Sequence, residues 1–325
     1  MTRDAGRGDG APARAVVMGY HAMGCLGFDA LRRHGFDVAA VFTHRDNPAE
    51  EIWWPSLRER AEAAGVAVHV ADDPADPAVS ARIAEAHPDF LFSFYYRALI
   101  PAGVRALAPR GALNLHGSLL PRYRGRAPVN WVLVNGETET GVTLHHMVDR
   151  ADAGDIVDQE RVAVGSDDTA YTLYGRLERA AARLLDRALP LLREGRAAAR
   201  PQDLARGSCF GARRPEDGRI DWALPARRLY DLVRAVTHPY PGAFTDLRGR
   251  RLLVWWAQPL DVRSGAPPGT VLGADGTGIR AATGDGVLRL ITVQREGCPE
   301  QPASAFAAAE DLAPGTRLGA GEARP

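Results

Sequence analysis

From residue 15 onward, short apolar runs alternate with longer stretches whose apolar positions recur at helical spacing. The runs 15–18, 38–42, 66–70, 90–94 and 112–115 predict five buried strands. Between them, 26–33, 55–64, 79–86 and 101–107 predict helices. Strands alternating with helices predict βαβ units, a parallel sheet and right-handed crossovers. Residues 140–148 and 156–164 predict two further strands, read as a hairpin across the site. Residues 169–193 predict a long helix, with Leu173, Leu177, Ala181, Leu184 and Leu185 on one face.

The texture changes over 195–215, which is rich in Ala, Arg, Gly and Pro and reads as a linker. Beyond it comes one helix, 226–236, then short strands at 243–247, 252–257, 270–272, 279–282 and 287–293 between Gly-rich turns. Short strands without intervening helices predict a small barrel or sandwich. The expected organisation is a disordered lead-in (1–13), an α/β Rossmann-like domain (14–200), a small β domain (201–316) and a loose tail (317–325). No internal repeat is visible.

Length and composition narrow the chemistry. At 325 residues the chain suits two domains and buries a core without disulfides or metal. Forty basic and forty acidic residues leave a formal net charge of +0, which argues against a generally basic nucleic-acid binder. All the basic side chains are arginine. The absence of lysine excludes a P-loop, a kinase-type lysine and any lysine Schiff base. Cys25, Cys209 and Cys298 are few, odd in number and widely spaced, as in a reducing cytoplasm. No metal-ligand spacing occurs, so no metal is expected. No stretch is apolar enough to span a bilayer, and no membrane partner is expected.

A first strand followed by glycines invites a dinucleotide-binding reading. In Gly19-Tyr-His-Ala-Met-Gly24-Cys-Leu-Gly27, only Gly24-x-x-Gly27 fits the fingerprint. No acidic residue ends the second strand, where Phe42-Thr43-His44 stands. A tight strand–helix turn explains these glycines better than a nicotinamide site.

The chemistry concentrates after the fifth strand. Asn114 and His116 are two apart at its end, so they point to one side. Open parallel sheets place their sites beyond such carboxyl ends. Histidine exchanges a proton near neutrality, and an Asn amide donates to a developing oxyanion. His21, His34, His44, His69 and His87 read instead as satisfied structural histidines. An adjacent carboxylate would stabilise an imidazolium and orient its ring. Asp149, Asp152 and Asp155 all stand in the turn between the two later strands, and spacing does not choose among them.

The run from Asn114 to Val157, with HGSLLPRYRGRAPVNWVLVNGETETGVTLHHMVDRADAGDIV, resembles the folate-dependent formyltransferase family. The likeness continues upstream through Tyr20-His-Ala-Met-Gly-Cys-Leu-Gly27, Phe42-Thr-His-Arg-Asp-Asn-Pro48 and Ser93-Phe-Tyr-Tyr-Arg97, and downstream through Cys209-Phe-Gly211 and Pro239-Tyr-Pro-Gly-Ala-Phe244. SFYYR and RAPVNWVLVNGETETG are most similar to the branch that acts on UDP-4-amino-4-deoxy-L-arabinose, the formyltransferase domain of the bifunctional enzyme of lipid A modification and polymyxin resistance. The resemblance implies a catalytic set of Asn114, His116 and Asp152. It implies folate contacts at Ala98, Leu99 and Ile100, at Arg126, and along Val148, Asp149, Arg150, Ala151 and Asp152. It also implies that the C-terminal part is a barrel resembling an OB-fold. Trp53 and Trp54 depart from the branch's wording and read equally as site-lining aromatics or loop packing.

The reaction implied is transfer of a formyl group from N10-formyltetrahydrofolate to the 4-amine of the UDP-amino sugar, without metal. At 325 residues there is no room for a second dinucleotide-binding domain, so a separate NAD-dependent decarboxylase is expected. The alternatives are methionyl-tRNA formylation, formylation of another nucleotide-linked amino sugar or natural-product amine, and a non-catalytic folate-binding module. Zero net charge counts against the tRNA.

Overall fold

The computed structural model describes residues 11–48 and 50–319. The lead-in over 1–10 and the tail over 320–325 lie outside the described residues.

The chain divides into two compact units that interleave in sequence. The first takes the described residues through Gly125, with Glu139–Ala163 and Gly175–Cys209; the second takes Arg126–Thr138, Val164–Tyr174 and the described residues from Phe210. The chain crosses between these units at several points, where the sequence reading expects one cut near residue 200.

In the first unit the parallel strands are β1 (Arg14–Gly19), β2 (Asp37–Thr43), β3 (Ala67–Val70), β4 (Phe90–Phe94) and β5 (Gly111–His116). They are linked by α1 (His21–Arg33), α2 (Leu57–Ala63), α3 (Pro77–Glu85) and α4 (Ala102–Arg105). A short β6 (Arg124–Gly125) precedes α5 (Pro128–Val134), β7 (Glu139–His146) and β8 (Ile156–Ala163). The seven-stranded sheet has the order β3-β2-β1-β4-β5-β7-β8, with β7 antiparallel to β5 and β8 antiparallel to β7. The expected hairpin thus extends the sheet beside β5.

The apolar runs become strands because both sheet faces are covered. Val16, Met18, Ala40, Phe42 and Leu91 pack with Val79, Ile83 and Val104 of α3 and α4. Phe92 and Phe94 belong to the other face, where the absence of a side chain at Gly27 lets α1 lie directly on the Phe94 ring. Gly19 and Gly24 face Leu57, whose Cδ2 lies 3.0 Å from where either Cβ would stand. These glycines serve close helix–strand packing. Helix starts are set locally: Ser56 accepts from the Glu59 N–H at 3.2 Å, and Asp76, ahead of Pro77, accepts from Ala78 at 2.8 Å. Ala13, placed in the expected lead-in, is buried and its carbonyl accepts from Asp37.

A long α6 (Ala170–Arg193) buries the leucine face read from the sequence. A short β9 (Cys209–Phe210) follows within the linker. The second unit then adds α7 (Ala226–Val236), β10 (Ala243–Leu247), β11 (Arg250–Leu260), β12 (Val271–Asp275), β13 (Gly278–Ala282), β14 (Val287–Arg295), β15 (Glu300–Pro302) and α8 (Ala303–Ala309). Its antiparallel sheet runs β10-β11-β14-β13-β12, with β15 also on β14.

The start of the tail expected as loose, residues 317–319, is bound, together with the residues just before it. The Leu318 N–H donates to Gly269 and the Gly319 N–H to Asp246, both at 2.8 Å, while Val271 donates to the Thr316 carbonyl. This segment ties the β12 edge to β10, and satisfying both edges is what orders it. Buried Arg234 on α7 pairs with Asp231 at 2.8 Å and donates to the Gly165 and Asp168 carbonyls. Helices α5 and α8 escape the sequence reading because they are only seven residues long and α5 is rich in β-branched valine. No helix among the described residues is long and apolar enough to cross a membrane.

Candidate active site

Asn114 and His116 project from the carboxyl end of β5 as the period-two geometry requires, and both converge on Asp152. His116 is buried. Its Nε2 donates to the Tyr123 carbonyl at 2.7 Å, since a carbonyl only accepts. Nδ1 faces Asp152 Oδ2 at 3.6 Å. Asn114 Nδ2 lies 3.3 Å from Asp152 Oδ1 and 3.1 Å from His145 Nε2.

Asp152 is singled out from its neighbours by the fold. Asp149 is 89% exposed and pairs with Arg105, and Asp155 is also exposed. Asp152 instead sits in the left-handed region at φ 51, where few non-glycine residues stay unless the surroundings hold them. Gln202 does so by donating to the Asp152 and Gly154 carbonyls at 3.0 and 2.6 Å. The Gly125 N–H then meets Asp152 Oδ2 at 2.8 Å. Burial opposes ionisation of Asp152, but the facing rings of His116 and His145 and the Gly125 N–H outweigh it. They hold the carboxyl well below the usual carboxylate range.

Side chains that sequence reasoning missed set this geometry. His145 is fully buried; its Nδ1 donates to the His146 carbonyl at 2.8 Å. Its Nε2 serves one partner at a time, accepting from Asn114 when neutral or donating to Asp152 at 3.5 Å when charged. The segment 117–123 is pinned by Thr143, whose hydroxyl donates to the Ser118 carbonyl at 2.6 Å, and by Gln159, which donates to the Leu120 carbonyl at 2.9 Å. Tyr123, at φ 57, is thereby held with its carbonyl toward His116. The HisHis pair at 145–146 was a visible signal, but only the register Asn114↔His145 gives it meaning.

The residues read as folate contacts fall in three places. Ala98, Leu99 and Ile100 form the loop after β4, with Leu99 73% exposed and Ile100 buried. Val148 to Asp152 form the loop after β7, with Val148 45% exposed. Leu99 and Val148 are thus two exposed apolar side chains on neighbouring loops of the first unit. Arg126 belongs to the second unit, where it is exposed and its N–H donates to the Phe210 carbonyl at 3.0 Å.

Beyond the ends of β1, β2 and β4 lies an aromatic cluster. His21 packs on Trp54 and Trp53, with ring centroids 4.1 and 4.6 Å apart, and His44 stacks on Tyr96 at 4.2 Å. Arg97 lies over Tyr20 and pairs bidentately with Glu50 at 2.8 Å. Burial, reinforced by Arg97, pushes the His21 imidazole down to about 3. His21 and His44 are thus packed, partnered rings, and Trp53 and Trp54 pack chiefly against this cluster.

Residues 16–189 match the family described as Formyl transferase, and 213–310 match Formyl transferase, C-terminal domain. Among solved structures, WlaRD, a sugar 3N-formyl transferase determined in the presence of dTDP and 5-N-formyl-THF, aligns at TM-score 0.65 and 16% identity over 89% of this chain and 100% of that one. The N-formyltransferase from Helicobacter canadensis, in complex with folinic acid and dTDP-3-aminofucose, aligns at 0.64 and 16% over 87% and 99%. HypX from Aquifex aeolicus, in complex with tetrahydrofolic acid, aligns at 0.61 and 19% over 90% of this chain but 46% of that one. The chain spans about half the length of the HypX structures it matches. At these identities the likeness is one of fold.

Proposed function

Because the chain belongs to the formyl transferase family, we propose that it moves a formyl group from N10-formyltetrahydrofolate to the amine of a nucleotide-linked amino sugar, with UDP-4-amino-4-deoxy-L-arabinose as the acceptor. The observation that carries the reading is the convergence of Asn114, buried His116 and Asp152 in one cluster at the end of β5.

The donor supplies an activated one-carbon unit, and Ala98 to Ile100 and Val148 to Asp152, all within the first unit, are the residues assigned to hold it. His116 Nε2–H is committed to the Tyr123 carbonyl, so proton exchange falls to Nδ1, on the side of Asp152. The ionised Asp152 faces that nitrogen at 3.6 Å. A charged His116 stabilises the negative charge that develops on the formyl oxygen as the amine attacks. Its Nδ1 proton is the one to pass to the departing nitrogen, while the proton released by the amine restores it. Asn114 contributes an amide donor by relinquishing its longer bond, 3.3 Å to Asp152, and keeping the 3.1 Å bond to His145. One such donor is commonly worth ~3–4 kcal/mol of barrier.

The acceptor is tested by competition. Offered one formyl donor at low salt, UDP-4-amino-4-deoxy-L-arabinose is expected to exceed methionyl-tRNA in kcat/KM. A larger value for the tRNA overturns the sugar assignment. A second reading, a dTDP-linked amino sugar, is favoured by the two relatives whose structures hold dTDP or a dTDP-sugar, and belongs in the same assay. If the amino-arabinose sugar is the acceptor, an NAD-dependent decarboxylase is expected to act before this step.

A further inference from the structure

The two loops assigned to the donor are joined by one side chain. Arg105 ends α4, and its guanidinium is largely buried, 13% exposed. Its Nε donates to the Ile100 carbonyl at 3.1 Å, Nη1 to the Met147 carbonyl at 3.0 Å, and Nη2 to the Asp149 carboxylate. A planar guanidinium presents its donors in a fixed fork, so three acceptors on two segments fix the spacing of those segments. Each anchor lies beside an exposed apolar side chain: Ile100 follows Leu99, while Met147 and Asp149 flank Val148.

The same fork reaches Asp149 although the side chain of Asp149 is 89% exposed. An isolated exposed ion pair contributes little to stability. Here the charge is added to two carbonyl bonds made by a mostly buried group, and its effect is to aim the loop. We propose that Arg105 is a positioning residue for formyl transfer, setting the separation of Leu99 and Val148 so that the formyl donor enters between them. This rests on the donor assignment above, and Arg105 acts in it through the two loops it holds.

The test compares wild type with Arg105→Gln, Arg105→Lys and Asp149→Asn. Binding of a reduced folate is measured by calorimetry, and donor and acceptor KM are measured separately from kcat. Arg105→Gln is expected to weaken folate binding and raise donor KM roughly tenfold, as loss of a charged hydrogen-bonding group does. Acceptor KM and kcat should stay near wild type. Arg105→Lys, which keeps the charge and loses the fork, should fall between. Asp149→Asn guards against misfolding of the Arg105 variants, because its side chain is solvent-facing; a smaller donor-KM effect is expected, absent in the Arg105→Gln background. Unchanged donor affinity in Arg105→Gln overturns the proposal. So does an equal rise in both KM values with a lowered Tm, which marks a general structural role. A wild type that binds no reduced folate overturns the donor assignment instead, before any variant is made.

Discussion

His145 Nε2 lies 3.1 Å from Asn114 Nδ2, across the β5–β7 register that pairs these two residues. His145 thereby orients the amide of Asn114 within reach of Asp152. Its own ring is fixed by the bond from Nδ1 to the His146 carbonyl. Replacing His145 with Ala is expected to lower kcat on the order of 10²-fold, the scale of a small misplacement of a catalytic group. Steady-state kinetics check this, and unchanged kcat would remove His145 from the positioning network.

His116→Ala, Asn114→Ala and Asp152→Ala should each reduce turnover by roughly 10²–10⁴-fold. Circular dichroism is expected to show the fold retained. Near wild-type turnover in His116→Ala would defeat the proton route through Nδ1.

Asp152 also predicts a pH dependence. Its folded carboxyl is held below the unfolded value, near 3.9. That stabilisation is present above the unfolded value and fades as pH falls through it toward the folded one. The Tm advantage of wild type over Asp152→Asn should therefore shrink below about pH 4. A gap that is constant with pH would show that the charge of Asp152 is not stabilised by the fold.

His21 titrates with the opposite charge change. Its folded value is about 3, against 6.5 for the free imidazole. Only the unfolded chain takes up the proton between those values, so this contribution to stability is full above pH ~6.5 and declines on acidification. His21→Phe should flatten Tm between about pH 6.5 and 4 relative to wild type. The left-handed backbone at φ 65 lowers the variant's plateau, so the slope is the readout. Equal slopes would count against a neutral, half-buried His21.

Gly27→Ala should destabilise the chain by roughly 1–3 kcal/mol in urea unfolding, because the added methyl meets the Phe94 ring. A loss of nucleotide affinity with full stability would instead revive the dinucleotide reading of these glycines.

Much of the fold was legible because its signals are local. Phe90–Phe94 and Ala226–Val236 coincide with the runs read from the sequence, since a continuous apolar run and a helical stripe each describe burial directly. Asn114 and His116 were legible for the same reason, because two-residue spacing on a strand puts both side chains on one face. The choice of Asp152 over Asp149 and Asp155 was legible only through family resemblance. In the structure, the position of Asp152 beside His116 comes from a left-handed turn held by Gln202, fifty residues downstream. The contacts of His145, Tyr123 and Arg105 required the tertiary structure, because they come from an antiparallel register, a loop carbonyl and a link between two loops. Likewise, the interleaving of the units and the tying of residues 315–319 to β10 and β12 depend on contacts between distant segments. Periodicity reports which side of an element is buried; which residue it is buried against is decided only when the chain closes on itself.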